Sequence, residues 1–194
     1  MIFGARRVSL TRRLNQVVKN RAAGSGESVK KARVKAAASR DTLSELYNRP
    51  GFLLRRANQI CVSIFLEEAA ELGVTTTQFG AMMVLSSRND LDQIGLAKLL
   101  GIDRSTAALV VGKLEKSRYL ARGRDSADRR RHILLLTREG HDLLAGLAAP
   151  AERARKREMD AFTEIEASTF LLLLKKFVDT FNSQIRTPIH PIKD

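Results

Sequence analysis

The sequence predicts a mainly α chain with a small β-hairpin wing: a winged helix-turn-helix within a helical dimerisation scaffold. Three observations predict it. Apolar residues recur at three- and four-residue steps through most of the chain beyond about residue 50. The stretch "QIGLAKLLGIDRSTAALVVGKL" has the spacing of two helices joined by a glycine turn. Directly after it the period changes, and "YLARGR" and "RHILLLT" are strand candidates around a loop of hairpin composition, "DSADRR".

The elements follow in order. In "SELYNRPGFLLRRANQICVSIFLEEAAELG" one helical face carries Phe52, Leu53, Ala57, Ile60, Cys61, Ile64, Phe65 and Ala69. Pro50 suits the start of that helix and Gly73 its end. "TTTQFGAMMVLSS" offers a threonine N-cap and apolar positions at Phe79, Met82, Met83 and Leu85. "RNDLD" is turn chemistry. A short helix ends at Gly101, and the next begins near "DRST" and runs to about Ser117. After the hairpin, Leu143, Leu144 and Leu147 resume the helical period, and Pro150 is expected to kink or interrupt it. The last helix opens on a capping box, Thr163 with Glu166. Its face, residues 170–174 with Phe177, Val178 and Phe181, is too apolar for solvent and is expected to bury against another subunit.

A chain of 194 residues with 44% hydrophobic content supports one domain with an extension. The expected organisation is a basic arm over 1–44, a folded domain over 45–187 and a tail over 188–194. Within the domain, 75–137 forms the winged helix-turn-helix, and 45–74 and 138–187 supply dimerisation helices. No apolar run approaches the roughly 18 to 20 residues of a membrane-spanning helix. The single cysteine, Cys61, excludes an intramolecular disulfide and fits a reducing compartment, so a cytoplasmic location is expected. Sparse aromatics and the absence of tryptophan argue against base-stacking platforms.

The formal charge of +13 is unevenly placed. Residues 1–40 carry eleven Lys/Arg against one acid, Glu27, which is +10 and leaves +3 for the rest. The arm has too little apolar surface to offset the entropy of ordering, so a solvated, disordered tail is expected. Two other readings are non-specific phosphate contacts and an Arg-rich organellar transit peptide. It lacks the apolar core of a secretory signal.

Counted from Gln93, the fifth residue of the helix-turn-helix is Ala97, where two helices approach too closely for a large side chain. The ninth is Gly101, which permits a positive φ between helices. Core positions fall at Leu96, Leu100, Ile102, Ala107 and Val110. The bland alternative is two ordinary core helices joined by a glycine turn. With Asp103 as N-cap, Arg104, Ser105 and Thr106 lie on the first turn of the second helix, where a recognition helix meets base edges. Arg104 suits a bidentate contact to guanine, and the two hydroxyls suit base or phosphate. Lys113, with Lys116 beyond it, suits phosphates.

A hairpin placed here is a wing. Arg129, Arg130 and Arg131 sit at its tip, with Arg122 and Arg124 on the ascending strand. A narrow minor groove has strong negative potential and favours an inserted guanidinium, Arg130 above all. Acids beside DNA cost affinity, so Asp125 and Asp128 are read as braces that pair with a wing arginine.

"LGIDRSTAALVVGKLEKSRYLARGRDSADRRRHILLLTREG" resembles the MarR family of bacterial transcriptional regulators. Their signature runs from a "DRST" recognition-helix start through "R…D..DRR" to a strand ending in "LT..G". The resemblance covers about residues 45–187. It implies a homodimer in which the first, fifth and sixth helices interlock, each winged helix reaching half of a pseudo-palindromic double-stranded DNA operator. It implies that Arg104, Ser105 and Thr106 read the major groove, that the wing arginines enter the minor groove, and that Asp128 and a neighbouring arginine brace the wing. Three positions depart from it. Ala108 and Leu109 stand where relatives often have polar or basic residues, so reading there would be apolar, as by Leu109 against a thymine methyl, or would rest on DNA shape. Gly112 stands where relatives commonly have an acid tying helix to wing, which puts that brace in doubt.

Such regulators typically release DNA when a small, often aromatic, acid binds between the dimerisation and DNA-binding parts. "RPGFLLRRANQI" resembles the first helix of regulators of aromatic-acid catabolism, which sense the acid or its coenzyme A thioester. The residues implied for an effector pocket are Ser63, Phe79, Met82, Met83 and His141, with Arg55, Arg56 or Asn58 as polar anchors. The competing reading is plain core packing for Phe79, Met82 and Met83, and an exposed or capping role for His141. A redox-sensing Cys61 stands against an inert thiol on an apolar face.

No enzyme is expected. His132, His141 and His190 are scattered, metal-ligand spacing and a glycine-rich phosphate loop are absent, and no metal or cofactor is implied. The expectation is a ligand-relieved repressor. Two alternatives remain: a non-specific, nucleoid-type DNA binder using the arm, and a protein-interaction module with a vestigial winged helix.

Overall fold

A computed structural model describes residues 42–124 and 132–189. Most of the arm, the last residues of the tail with His190, and the hairpin tip with Asp125, Asp128, Arg129, Arg130 and Arg131 lie outside the described residues. The chain divides into two compact units, 1–57 and 58–194, with the boundary inside the first long helix.

In the first unit a helical stretch over 42–47 leads into α1 (Pro50–Glu68). The Asn48 side-chain amide donates to the Ser44 carbonyl at 2.8 Å, closing the turn ahead of Pro50. Tyr47 and Phe52 pack ring on ring at 5.3 Å between centroids, and the Arg55 guanidinium lies 4.9 Å from the Phe52 ring centre.

The second unit contains the end of α1, then α2 (Thr76–Ser87), α3 (Gln93–Leu100), α4 (Arg104–Lys116), β1 (Leu120–Arg124), β2 (His132–Leu136), α5 (Arg138–Met159) and α6 (Glu164–Phe181). A 3-10 turn, Ala70–Leu72, follows α1 and closes on Gly73 at φ +62°. The helix starts were readable from sequence because each of α2 to α6 begins at a Thr or Asp whose side chain accepts a backbone N–H of the first turn. Thr75 with Gln78 and Thr163 with Glu166 form full capping boxes, in which the second side chain accepts the cap residue's own N–H at 2.9 Å.

Two clusters of buried side chains hold this unit. The winged-helix core joins Met82 and Leu85 of α2, Leu91, Leu96 of α3, Val111 and Leu114 of α4, Leu120 of β1 and Leu134 of β2. A smaller cluster joins Phe65 of α1, Ala69 just after it, Val74, and Leu147 and Ala154 of α5, with Phe79 packed on Phe65 at 5.3 Å between rings. Beside it Glu68 accepts from Arg153 and Arg157, each at 2.7 Å, which holds its carboxyl below the usual range.

One expectation needs correcting. Pro150 does not interrupt its helix: α5 runs continuously over 22 residues with Pro150 inside. A proline costs its own N–H bond and crowds the carbonyl four residues earlier. That residue is Gly146, and buried Leu147 and Ala154 pin the helix on either side of the proline. The apolar face of α6 is exposed in the single chain, with Ile165 at 80% and Leu172 at 66%.

Candidate nucleic-acid interface

The interface is built on α4. The Asp103 carboxylate accepts the Thr106 N–H at 2.9 Å and the Thr106 hydroxyl at 2.7 Å. These bonds, the hydroxyl's first and the backbone N–H's second, hold the Asp103 carboxyl below its ordinary range, so the cap stays ionised at neutral pH. The helix-turn-helix expectation holds at its decisive positions: Gly101 has φ +64°, Ala97 is 5% exposed, and Leu96 and Ala107 are fully enclosed. Ile102, expected in the core, is only half-buried.

With Ala107, Val110, Val111 and Leu114 turned inward, the outward stripe of α4 is fixed by the 3.6-residue period. It runs Arg104, Ser105, Ala108, Leu109, Gly112, Lys113 and Lys116, all exposed. Leu109, at 68% exposure, projects from the middle, and a Cβ at Gly112 would meet nothing within 4 Å. Thr106 is half-buried with its proton committed to Asp103, so its oxygen remains only as an acceptor. The stripe therefore has a donor-rich first turn, an apolar centre and a cationic last turn, which suits the negative end of the helix dipole.

The Arg122 guanidinium donates to both carboxylate oxygens of Glu115, at 2.7 and 3.3 Å. It ties β1 to α4. The brace that Gly112 put in doubt is thus present, one helical turn further along. The strands pair antiparallel with Arg122 opposite Leu134 and Arg124 opposite His132, and the Leu134 N–H also donates to the Leu91 carbonyl at 2.7 Å. The wing stands on a hairpin fixed to both α4 and the turn before α3, and Arg124 leads exposed toward the tip.

A Glu115→Ala chain tests the brace. The pair is largely solvated, so its loss is expected to cost no more than about 1 kcal/mol of stability. DNA affinity is expected to fall more than that, because wing and helix no longer share one orientation. Unfolding curves and titrations of labelled duplex separate the two, and unchanged affinity would remove the brace's role.

Met82 is fully enclosed in the winged-helix core and Phe79 packs on Phe65, so both serve core packing here. Met83, Asn58 and His141 are exposed, and the Ser63 hydroxyl donates to Glu67 at 3.3 Å. Arg55 and Arg56 belong to the first unit, where Arg55 lines a cleft of about 640 Å³ with Phe52 and Arg49. Cys61 is half-buried; burial, then the neighbouring Glu158 carboxylate, push its thiol pKa up, which disfavours the reactive thiolate. Among the described residues no cluster of His, Cys, Asp and Glu is set to hold a metal, and no helix is long and apolar enough to cross a membrane.

Sequence reasoning missed Glu115, seven residues from its partner Arg122, because no local pattern marks such a pair. It also missed the C-terminal segment. The Thr187 hydroxyl donates to the Gly101 carbonyl at 2.9 Å, and the Asn182 side chain binds both the N–H and the carbonyl of Ile189.

A capped recognition helix with an outward cationic and apolar stripe, beside a braced two-stranded wing, defines a winged helix-turn-helix DNA-binding protein. Residues 72–131 match the family model described as MarR family. The repressor NicR of Pseudomonas putida is 28% identical over 151 residues, 78% of this chain and 96% of that protein. The putative regulatory protein for the hcr operon of Thauera aromatica is 30% identical over 130 residues, 65% of this chain and 76% of that protein. Among solved structures, Bordetella bronchiseptica BpsR aligns with a TM-score of 0.64 at 28% identity, covering 69% of this chain and 96% of its own. The repressor CouR bound to a 23-mer duplex aligns with a TM-score of 0.64 at 29% identity, covering 69% and 95%. The chain belongs to the MarR family and is a DNA-binding transcriptional regulator.

Proposed function

We propose that the chain is a repressor that binds a pseudo-palindromic operator as a homodimer and is released by a small aromatic acid or its coenzyme A thioester. The observation that carries the DNA reading is the outward stripe of α4, with Arg104 and Ser105 exposed on a first turn locked by Asp103. Arg104, Ser105, Thr106 and Leu109 read the major groove, and Lys113 and Arg124 meet backbone phosphates. Arg130, with Arg129 and Arg131, enters the minor groove, and Asp125 and Asp128 brace the tip. Arg122 holds the wing instead of touching DNA. The exposed apolar face of α6 supplies the dimer contact, and the segments 45–74 and 138–187 form the dimerisation scaffold. We assign no enzymatic activity and a cytoplasmic location.

The aromatic-acid reading rests on relatives: the solved BpsR structure concerns regulation of its DNA binding by 6-hydroxynicotinic acid. The polar anchors are the exposed Arg55, Arg56 and Asn58, with Ser63, Met83 and His141 as further candidates. The test is a gel shift on the gene's own upstream region, with aromatic acids and thioesters added in turn. A site there outcompetes bulk DNA, and one class of compound releases it; if no site outcompetes bulk DNA, the reading fails. Arg104→Ala is the matched variant. A bidentate guanine contact contributes about 1–3 kcal/mol and the dimer has two, so operator affinity is expected to fall by roughly 30-fold or more. Random duplex should lose much less.

A further inference from the structure

The tail was expected to begin at residue 188, and the segment 185–189 that leads into it is held at three points. Asn182, in the 3-10 turn Asn182–Gln184, accepts the Ile189 N–H at 2.8 Å and donates to the Ile189 carbonyl at 2.6 Å, closing the segment into a loop. The Thr187 hydroxyl donates to the Gly101 carbonyl at 2.9 Å. The Ile189 side chain lies against Gly101, so near that a Cβ there would stand 2.7 Å from its Cγ1. The chain is thereby strapped across the turn of the helix-turn-helix, and Arg186 is carried to the side of α4 that begins with Arg104.

Between the strap and the helices lies an open cavity of about 900 Å³, lined by Lys98, Arg104, Ser105, Thr106, Arg186 and their neighbours. Three cations face it. Its one acid among the described residues, Asp103, has its oxygens committed to Thr106. Arg186 is exposed and has no hydrogen-bond or ion-pair partner among the described residues. A guanidinium kept in place by a strap, with no partner among the described residues and beside the first turn of α4, matches a polyanion more than it serves the fold.

We propose that the strap is a fixed part of the DNA-facing surface and that Arg186 contacts a backbone phosphate flanking the bases read by the first turn of α4. The inference rests on the reading of α4 as the operator-facing helix. Arg186 then adds affinity without sequence preference, and Thr187 and Ile189 are positioning residues that act through it. The strap also makes the end of α6 and the recognition helix share one backbone-anchored contact at Gly101.

The experiment measures binding of the full chain, its Arg186→Ala and Arg186→Lys variants, and Thr187→Val, to operator and to random duplex over a salt series. One phosphate contact per subunit is two per dimer, so Arg186→Ala is expected to lower the slope of log affinity against log salt by about 2. Affinity for both duplexes should fall together, by roughly tenfold near 0.1 M salt. Arg186→Lys should keep the slope, and Thr187→Val should move toward the alanine variant with its unfolding temperature nearly unchanged. An unchanged slope in Arg186→Ala overturns the proposal. So does a loss confined to the operator, which would mean base reading, or a gain in affinity, which would make the strap a cover over α4. If the parent chain itself shows no operator preference, the reading of α4 has failed, and the random-duplex slopes still decide the role of Arg186.

Discussion

A Gly140→Ala chain is expected to unfold about 10 °C below the parent, a loss of about 3 kcal/mol for a domain of this size. Gly140 lies in the first turn of α5 and is buried. A Cβ there would overlap the backbone carbonyl oxygen of Tyr119 and come within 3.0 Å of its carbon. Backbone cannot swing aside as a side-chain tip can. The Tyr119 carbonyl also accepts the Thr137 N–H, and the Thr137 hydroxyl donates to the Arg118 carbonyl at 2.7 Å while capping Gly140. Pushing α5 away therefore breaks the joint between the α4–β1 corner and the long helix. Gly146 in the same helix provides the control, since a Cβ there meets nothing within 4 Å. Alanine at Gly146 should stabilise by about 0.5–1 kcal/mol through helix propensity alone. Thermal and denaturant unfolding of the two variants decide the matter: opposite signs are expected, and two stabilising substitutions would show that the close approach costs nothing.

A Leu172→Asp chain should be monomeric at concentrations where the parent is a dimer. Leu172 is 66% exposed on α6 beside exposed Leu171 and Leu173, so the substitution leaves the core of the single chain untouched. In the homodimer it occurs twice. Each copy removes about 2 kcal/mol of apolar burial and adds an unpaired carboxylate to a dry surface, which together weaken the dimer by more than about a hundredfold. Operator binding should fall with it, because two half-sites one helical turn apart are engaged only by a joined pair. Sedimentation and gel shifts on full and half operators read the two effects. A variant that stays dimeric at parental affinity would place the interface elsewhere.

Much of the candidate site was legible because its signals are local. Asp103 before "RST" and Gly101 nine positions into the motif are each interpretable within a turn or two of chain. The periodicity that turns Ala107, Val110 and Leu114 inward also defines which residues of α4 face outward. At Pro150 the local rule allowed a kink or an interruption, and the helix is not interrupted, because buried residues on either side hold it. The pocket residues were less legible. Met82 and Phe79 have the composition of a ligand pocket and of a core alike, and only their enclosure and ring contact decide for the core.

By itself, the sequence determined the helix starts, the left-handed glycine of the helix-turn-helix, the change of period at the hairpin and the excess apolar surface on α6. Each depends on residues that lie close along the chain, where backbone geometry leaves few choices. Only the tertiary structure decided that Arg122 clamps Glu115, that Gly140 is required by the Tyr119 carbonyl, that Arg153 and Arg157 converge on Glu68, and that Thr187 reaches Gly101 from 86 residues away. Those contacts join side chains and carbonyls whose separation is set by how whole helices pack, and no spacing in the sequence encodes it.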